Sequence, residues 1–227
     1  MLELSKISVS YAGVHVLHDI NLCVMQGEIV GVVGPNGAGK TTLFKVVSRV
    51  IEGYEGVATY NNIRLCSLAS KDISYLAETP FLFDFFTPAQ MLLFERTLRF
   101  PDIPESDIYN ILQRLDLDAH LHKRIKALSQ GLRKRVAIAS AFLGNPKIIV
   151  LDEPLNSIDI QTVIILRQLI QEALVREAIV LISSHVLNFF DGLVNRIVFL
   201  KEGNMYFAAE NDQRNAEELY EELFLRS

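Results

Sequence analysis

The chain has no long hydrophobic run. Its longest apolar stretches, such as Ile148–Leu151 and Ile179–Ile182, fall far short of the roughly 20 residues that a bilayer-spanning helix needs. No basic segment followed by an apolar one occurs over Met1–Tyr11, so no signal peptide is read there. Basic residues are not in excess: 22 Lys and Arg against 27 Asp and Glu leave a formal net charge of −5. A surface for nucleic acid demands the opposite balance, which excludes that class of partner. Cysteine is scarce. Cys23 and Cys66, 43 residues apart, form neither a metal nor a redox spacing and are read as free, buried thiols in a reducing cytosol. Internal repeats and low-complexity linkers are missing too. What remains is an ordinary soluble composition, 50% apolar and 22% charged over 227 residues, enough for one large domain or a domain with a subdomain.

Against these absences, residues 34–41 stand out. Gly34-Pro35-Asn36-Gly37-Ala38-Gly39-Lys40-Thr41 spells G-x-x-x-x-G-K-T, and Thr42 follows it. The apolar run Glu28–Val33 before it reads as a buried parallel strand, and Leu43, Val47 and Val50 after it read as the stripe of an amphipathic helix. Strand, glycine loop and helix form the context of a phosphate-binding loop. Glycines let successive N–H groups point into one concavity, and the helix N-terminus adds partial positive charge. Lys40 is placed to reach the β- and γ-phosphates and the Thr41 hydroxyl to hold Mg²⁺. The chain is therefore expected to bind a nucleoside triphosphate.

Elsewhere the pattern divides into three. Leu2–Leu4, Ile7–Tyr11 and Ile20–Val24 alternate apolar and polar, as a half-solvated antiparallel sheet does. Ile148–Leu151 and Ile179–Ile182 each follow a helical segment and read as further parallel strands. Between about residues 79 and 144 the pattern is helical, with Leu112, Leu115 and Leu117 near one another. Its last helix is expected to start at Ser129, to carry Leu132, Val136, Ala139 and Leu143 on one face, and to stop at Gly144-Asn145-Pro146. Residues 216–225 read as an acidic amphipathic helix. The expected fold is α/β, a P-loop NTPase core (1–78 and 145–227) with an N-terminal antiparallel β-subdomain and an inserted helical subdomain (79–144).

The strand Ile148–Leu151 ends in Asp152-Glu153-Pro154. Ligands of α/β folds gather at the carboxyl ends of strands, so this end is expected at the phosphate loop. Asp152 would hold Mg²⁺, directly or through water, and Glu153, pointing the other way by strand alternation, would polarise an attacking water. About twenty residues earlier stands Leu128-Ser129-Gln130-Gly131-Leu132-Arg133-Lys134-Arg135. With the two motifs above, this segment makes the chain resemble, over essentially its whole length, the ATP-binding cassette of an ABC transporter.

The resemblance implies a set of roles. Ser129 and Gly131 match the signature residues that contact the γ-phosphate of ATP held by the opposite subunit. Tyr11 matches the aromatic residue that stacks on adenine, and His185 the switch histidine at the γ-phosphate. Asp159 matches the loop aspartate that communicates across the dimer. It further implies ATP and Mg²⁺ as cofactors, and a cytoplasmic location, peripheral on the inner face of the cell membrane. The implied partners are a separate membrane permease and a second cassette, either another copy or a paralogue.

Two departures stand against the family pattern. Gln130 and Leu132 replace two residues of the usual Ser-Gly-Gly-Gln. Glu78, after Ile73–Ala77, replaces the usual glutamine of a loop that meets Mg²⁺ and the lytic water. Glu78 is thus a candidate for both metal and catalytic roles, and three carboxylates around one divalent ion would raise at least one pKa or draw the metal in more tightly. Three other readings stay open at this stage: a regulatory subunit that hydrolyses ATP poorly, a non-transport cassette, and a small-molecule P-loop kinase.

Overall fold

The computed structural model describes residues 1–184, 189–207, 220, 221 and 224. The N-terminal alternation builds β1 (Leu2–Tyr11) and β2 (Val14–Val24), joined by Ala12-Gly13, both at positive φ. That pair of left-handed residues makes the tight hairpin turn that matches strand twist. Where the sequence suggested two short strands, β1 is one ten-residue strand whose register shifts between Leu4 and Val9. With β4 (Glu55–Tyr60) and β5 (Ile63–Arg64) it forms a four-stranded sheet in the order β2-β1-β4-β5.

The second sheet holds β3 (Ile29–Val33), β6 (Ile73–Leu76), β7 (Ile148–Leu151), β8 (Ile179–Ser183), β9 (Arg196–Lys201) and β10 (Asn204–Phe207), ordered β10-β9-β3-β8-β7-β6. All neighbours run parallel except β9 and β10. Both faces are covered, which is why β3, β7 and β8 are buried at every position. On one face Val30, Val32, Ile148, Val150 and Leu181 pack with α1 (Lys40–Val47) and the antiparallel sheet. On the other, Ile29, Val33, Ile149 and Leu151 share a core with α2 (Pro88–Arg99), α3 (Glu105–Arg114), α4 (Gln130–Phe142) and α5 (Ile160–Val175).

The stretch between β6 and β7 carries helices and no strand. Thr87 opens α2 with a capping box to Gln90 and Pro88 follows it, and Ser129 caps α4 by accepting the Leu132 N–H at 3.3 Å. Past the end of α4, Gly144 lies at φ 71°, and a Cβ there would stand 2.2 Å from the Phe100 ring.

Two expectations are corrected. Val50 does not join the α1 stripe: the helix ends at Val47, Arg49 turns to φ 62°, and Val50 is 58% exposed. Cys23 and Cys66 are free but exposed, because Cys23 falls on the outward alternation of β2 and Cys66 in a short 3₁₀ turn. Most of the acidic tail lies outside the described residues. Tyr220 and Phe224 of that tail pack against the core.

Candidate functional site

The glycine loop leaves β3 and enters α1 through Gly37 at φ 81° and Gly39 at φ 107°. A side chain at Gly34 would place its Cβ 2.1 Å from the Leu200 carbonyl oxygen, so only glycine lets this loop close against β9. The Lys40 ammonium folds back over the loop and donates to the carbonyls of Gly34 at 2.8 Å and Pro35 at 3.2 Å. Thr41 is exposed at the first turn of α1, and Thr42 is buried.

Because β6, β7 and β8 run parallel to β3, their carboxyl ends gather at this loop. Asn36 to Thr42, Glu78 after β6, Asp152 and Glu153 after β7, and Val16 and Asn156 line one cleft of about 670 Å³. Asp152 is 1% exposed, and both its oxygens accept hydrogen bonds, from Ser183 Oγ at 2.8 Å and from the Tyr75 hydroxyl at 3.3 Å. Burial, reinforced by the Asp152 carboxylate, pushes the Tyr75 phenol well above its ordinary range, so it stays a donor. Glu78 Oε1 accepts from the Asn156 amide at 3.2 Å.

The placement of Glu153 corrects the alternation argument. β7 ends at Leu151, so Asp152 and Glu153 sit in the following turn, where the two-residue period no longer applies. Glu153 adopts φ 45°, and both carboxylates line the same cleft. The Glu153 N–H donates to Ser183 Oγ at 3.0 Å, so one serine at the end of β8 fixes both acidic residues.

Not every expected residue lines the cleft. Tyr11 ends β1 and is 44% exposed. Ser129 and Gly131, at the start of α4, are not among the residues lining the cleft, and Gly131 is close enough to Ser157 that a Cβ would lie 2.9 Å from its carbonyl oxygen. Asp159 caps α5, taking the Thr162 N–H at 2.9 Å and hydroxyl at 2.6 Å, and pairs with Arg135 at 2.7 Å. The Thr162 donors, then Arg135, hold its carboxyl down at about 2. Arg135 also grips Asp116 at 3.0 Å. His185 lies outside the described residues. Sequence reading gave no role to Tyr75, Ser183, Asn156 or Lys134, although all four stand inside or beside quoted motifs.

A glycine loop, a lysine and strand-end carboxylates around one cleft define a P-loop nucleotide site. The ABC transporter family model matches residues 17–156, and the chain belongs to that family. It is 27% identical over 221 residues to the lantibiotic transport ATP-binding protein SrtF of Streptococcus pyogenes, covering 97% of this chain and 96% of that one. It is 30% identical over 244 residues to the phosphonates import ATP-binding protein PhnC of Wolinella succinogenes, covering 98% and 89%. Among solved structures, an ATP-binding subunit of an ABC transporter superposes with a TM-score of 0.88 at 26% identity, over 98% of this chain and 99% of that one. The dimeric cassette MJ0796, in a post-hydrolysis state with ADP and Pi, shares the fold with a TM-score of 0.82 at 23% identity, over 91% and 98%. This chain is an ATP-binding and ATP-hydrolysing subunit of an ABC transporter.

Proposed function

We propose that Glu153 is the general base for ATP hydrolysis, with the phosphates on the 34–41 loop and Tyr11 against the adenine. The observation that carries this reading is the single cleft shared by the phosphate loop, Glu78, Asp152 and Glu153. The cleft also suits Mg²⁺. Thr41 and Asp152 offer hard oxygens there, and among the described residues no cluster of three or more His, Cys, Asp or Glu forms a cage of its own. That is the donor set of a magnesium ion held mostly by substrate phosphates and water. When bound, the ion offsets charge on the transferred phosphoryl group. His185 keeps its proposed place at the γ-phosphate.

Ser129, Gly131 and Asp159 stand off the cleft of their own chain, which supports a sandwich of two cassettes in which each completes the other's site. A sandwich of two copies is tested by the size of the protein under Mg-ATP: a hydrolysis-deficient chain that stays monomeric would rule it out and leave a paralogue as the second cassette. Residues 79–144 would form the helical lobe that carries Ser129 and Gly131 to the partner.

Glu78 is proposed to tune the metal. Glu78→Gln removes one charge from the cleft; at roughly 6 Å in water, a unit charge and a divalent ion interact by about 1.4 kcal/mol, a factor of about ten. The Mg²⁺ concentration for half-maximal hydrolysis should rise by up to about that factor in an ATPase titration. An unchanged metal dependence would show that Glu78 serves another purpose.

Among the described residues no helix is long and apolar enough to cross a membrane. A separate membrane permease would supply the pathway, with this chain peripheral on the inner face of the cell membrane. The docking surface is proposed at the aromatic run after Glu78. Phe81 is 81% and Phe85 63% exposed, while Phe83 and Phe86 pack edge-on into the core beside Phe94. An amphipathic helix of the permease would find its anchors in the two outward rings. Phe81→Ser and Phe85→Ser should keep parent stability and lose permease-stimulated ATPase. Phe83→Ser and Phe86→Ser should instead lose up to about 3 kcal/mol in chemical denaturation. Full stimulation in the Phe81 and Phe85 variants would place docking elsewhere.

A further inference from the structure

Lys134 lies on α4, one turn past the Ser129 cap, and is 3% exposed. A lysine that far from solvent needs partners for all three of its N–H donors. Its ammonium finds three, and each is a backbone carbonyl: Glu78 at 3.0 Å, Glu153 at 3.2 Å and Ala77 at 3.4 Å. The contacts fall on main chain rather than on carboxylates, so what they fix is the path of the two loops from which Glu78 and Glu153 project. Glu153 adopts a left-handed φ of 45°, an unfavourable conformation that persists only where its surroundings over-determine it. Here the Ser183 hydroxyl holds the residue's N–H and Lys134 holds its carbonyl, from two different elements.

We propose that Lys134 is a positioning residue for hydrolysis, pinning the loops that carry Glu78 and Glu153 to the helix that begins at Ser129. It rests on the reading of Glu153 as general base. The arrangement makes α4 and the two acidic loops move together, so a partner nucleotide that seats against Ser129 and Gly131 also sets the position of Glu153. The ammonium brings charge as well. Burial lowers its affinity for a proton, while Glu78 first, then Asp152 and Glu153, act in the opposite sense. A fixed cation amid three carboxylates offsets the extra charge that Glu78 adds where the family has a neutral glutamine.

The test is a kinetic cycle on the full chain. Lys134→Met keeps the length of the side chain and removes the donors and the charge. ATP affinity, read from the melting shift with Mg-ATP, should stay within about threefold, while kcat falls by about 10²-fold, the cost of an ångström-scale misplacement of a catalytic group. Lys134→Arg, which keeps cation and donors, should recover most of that loss. The deciding variant combines Lys134→Met with Glu153→Gln. Residues that act through one another are not additive, so the double variant should be no slower than Glu153→Gln alone. Multiplicative losses, or a Lys134→Met chain at the parent kcat, would overturn the proposal. If Glu153→Gln by itself retains parent turnover, the general-base reading fails first and separately. Should Lys134→Met not fold, Lys134→Gln retains neutral donors and enters the same cycle with the same criteria.

Discussion

A Glu153→Gln chain is expected to bind ATP with nearly parent affinity and to hydrolyse it more slowly by about 10²–10⁴-fold, the usual worth of a general base. The substitution keeps side-chain volume while removing the carboxylate's charge and, with it, the ability to take a proton. Neither backbone anchor of residue 153 depends on that side chain: its N–H is held by Ser183 Oγ and its carbonyl by the Lys134 ammonium. The turn at φ 45° should therefore survive, and the loss should appear in kcat with KM nearly constant. Asp152 is the poorer choice of base, because hydroxyls of Ser183 and Tyr75 already occupy both of its oxygens and orient it as a fixed acceptor. With hydrolysis stalled, nucleotide should remain in the cleft and hold two chains together, so the variant should elute as a dimer with Mg-ATP and as a monomer after its removal. Phosphate release at the parent rate would remove Glu153 from the role.

Much of this site was legible because its chemistry is local. The glycine loop, its strand and its helix are consecutive, and β7 and β8 announce themselves as unbroken apolar runs because both faces of the sheet are covered. Ser129 was readable as a cap for the same reason, since a cap bonds within three residues of itself. What could not be read depended on residues far apart in the chain. Lys134 looks like one more charge in a basic stretch, and its burial follows from carbonyls 56 and 19 residues away. Tyr75 and Asp152, 77 residues apart, meet only because β6 and β7 are neighbours. The error over Glu153 has a different cause: a period-two argument was extended two residues beyond Leu151, where the strand ends. Cys23 misled because a thiol is usually buried, while its place on β2 follows the pleat rather than the residue type.

The second large effect is expected at Lys40. The Lys40 ammonium donates to the Gly34 and Pro35 carbonyls, at 2.8 and 3.2 Å, on a partly exposed surface. Water can replace those bonds, so Lys40→Ala should change the melting temperature of the free protein only slightly. The effect belongs to the complex. A ligand that binds only the folded state stabilises it by RT ln(1 + [L]/Kd), about 2.7 kcal/mol at a hundredfold excess over Kd. Losing a charge-assisted hydrogen bond to phosphate costs about 1.5–3 kcal/mol, which raises Kd by roughly 10- to 150-fold. At the nucleotide concentration that gave the parent its 2.7 kcal/mol, a hundredfold weaker variant has [L] near Kd and keeps only about 0.4 kcal/mol. In a chain of this size 1 kcal/mol shifts melting by about 2–4 °C, so a parent shift of roughly 5–11 °C should shrink to about 1 °C. Differential scanning fluorimetry over a series of Mg-ATP concentrations measures both. Equal shifts in parent and variant would mean that Lys40 does not touch the phosphates, and the cleft would have to bind ATP through the loop's backbone alone.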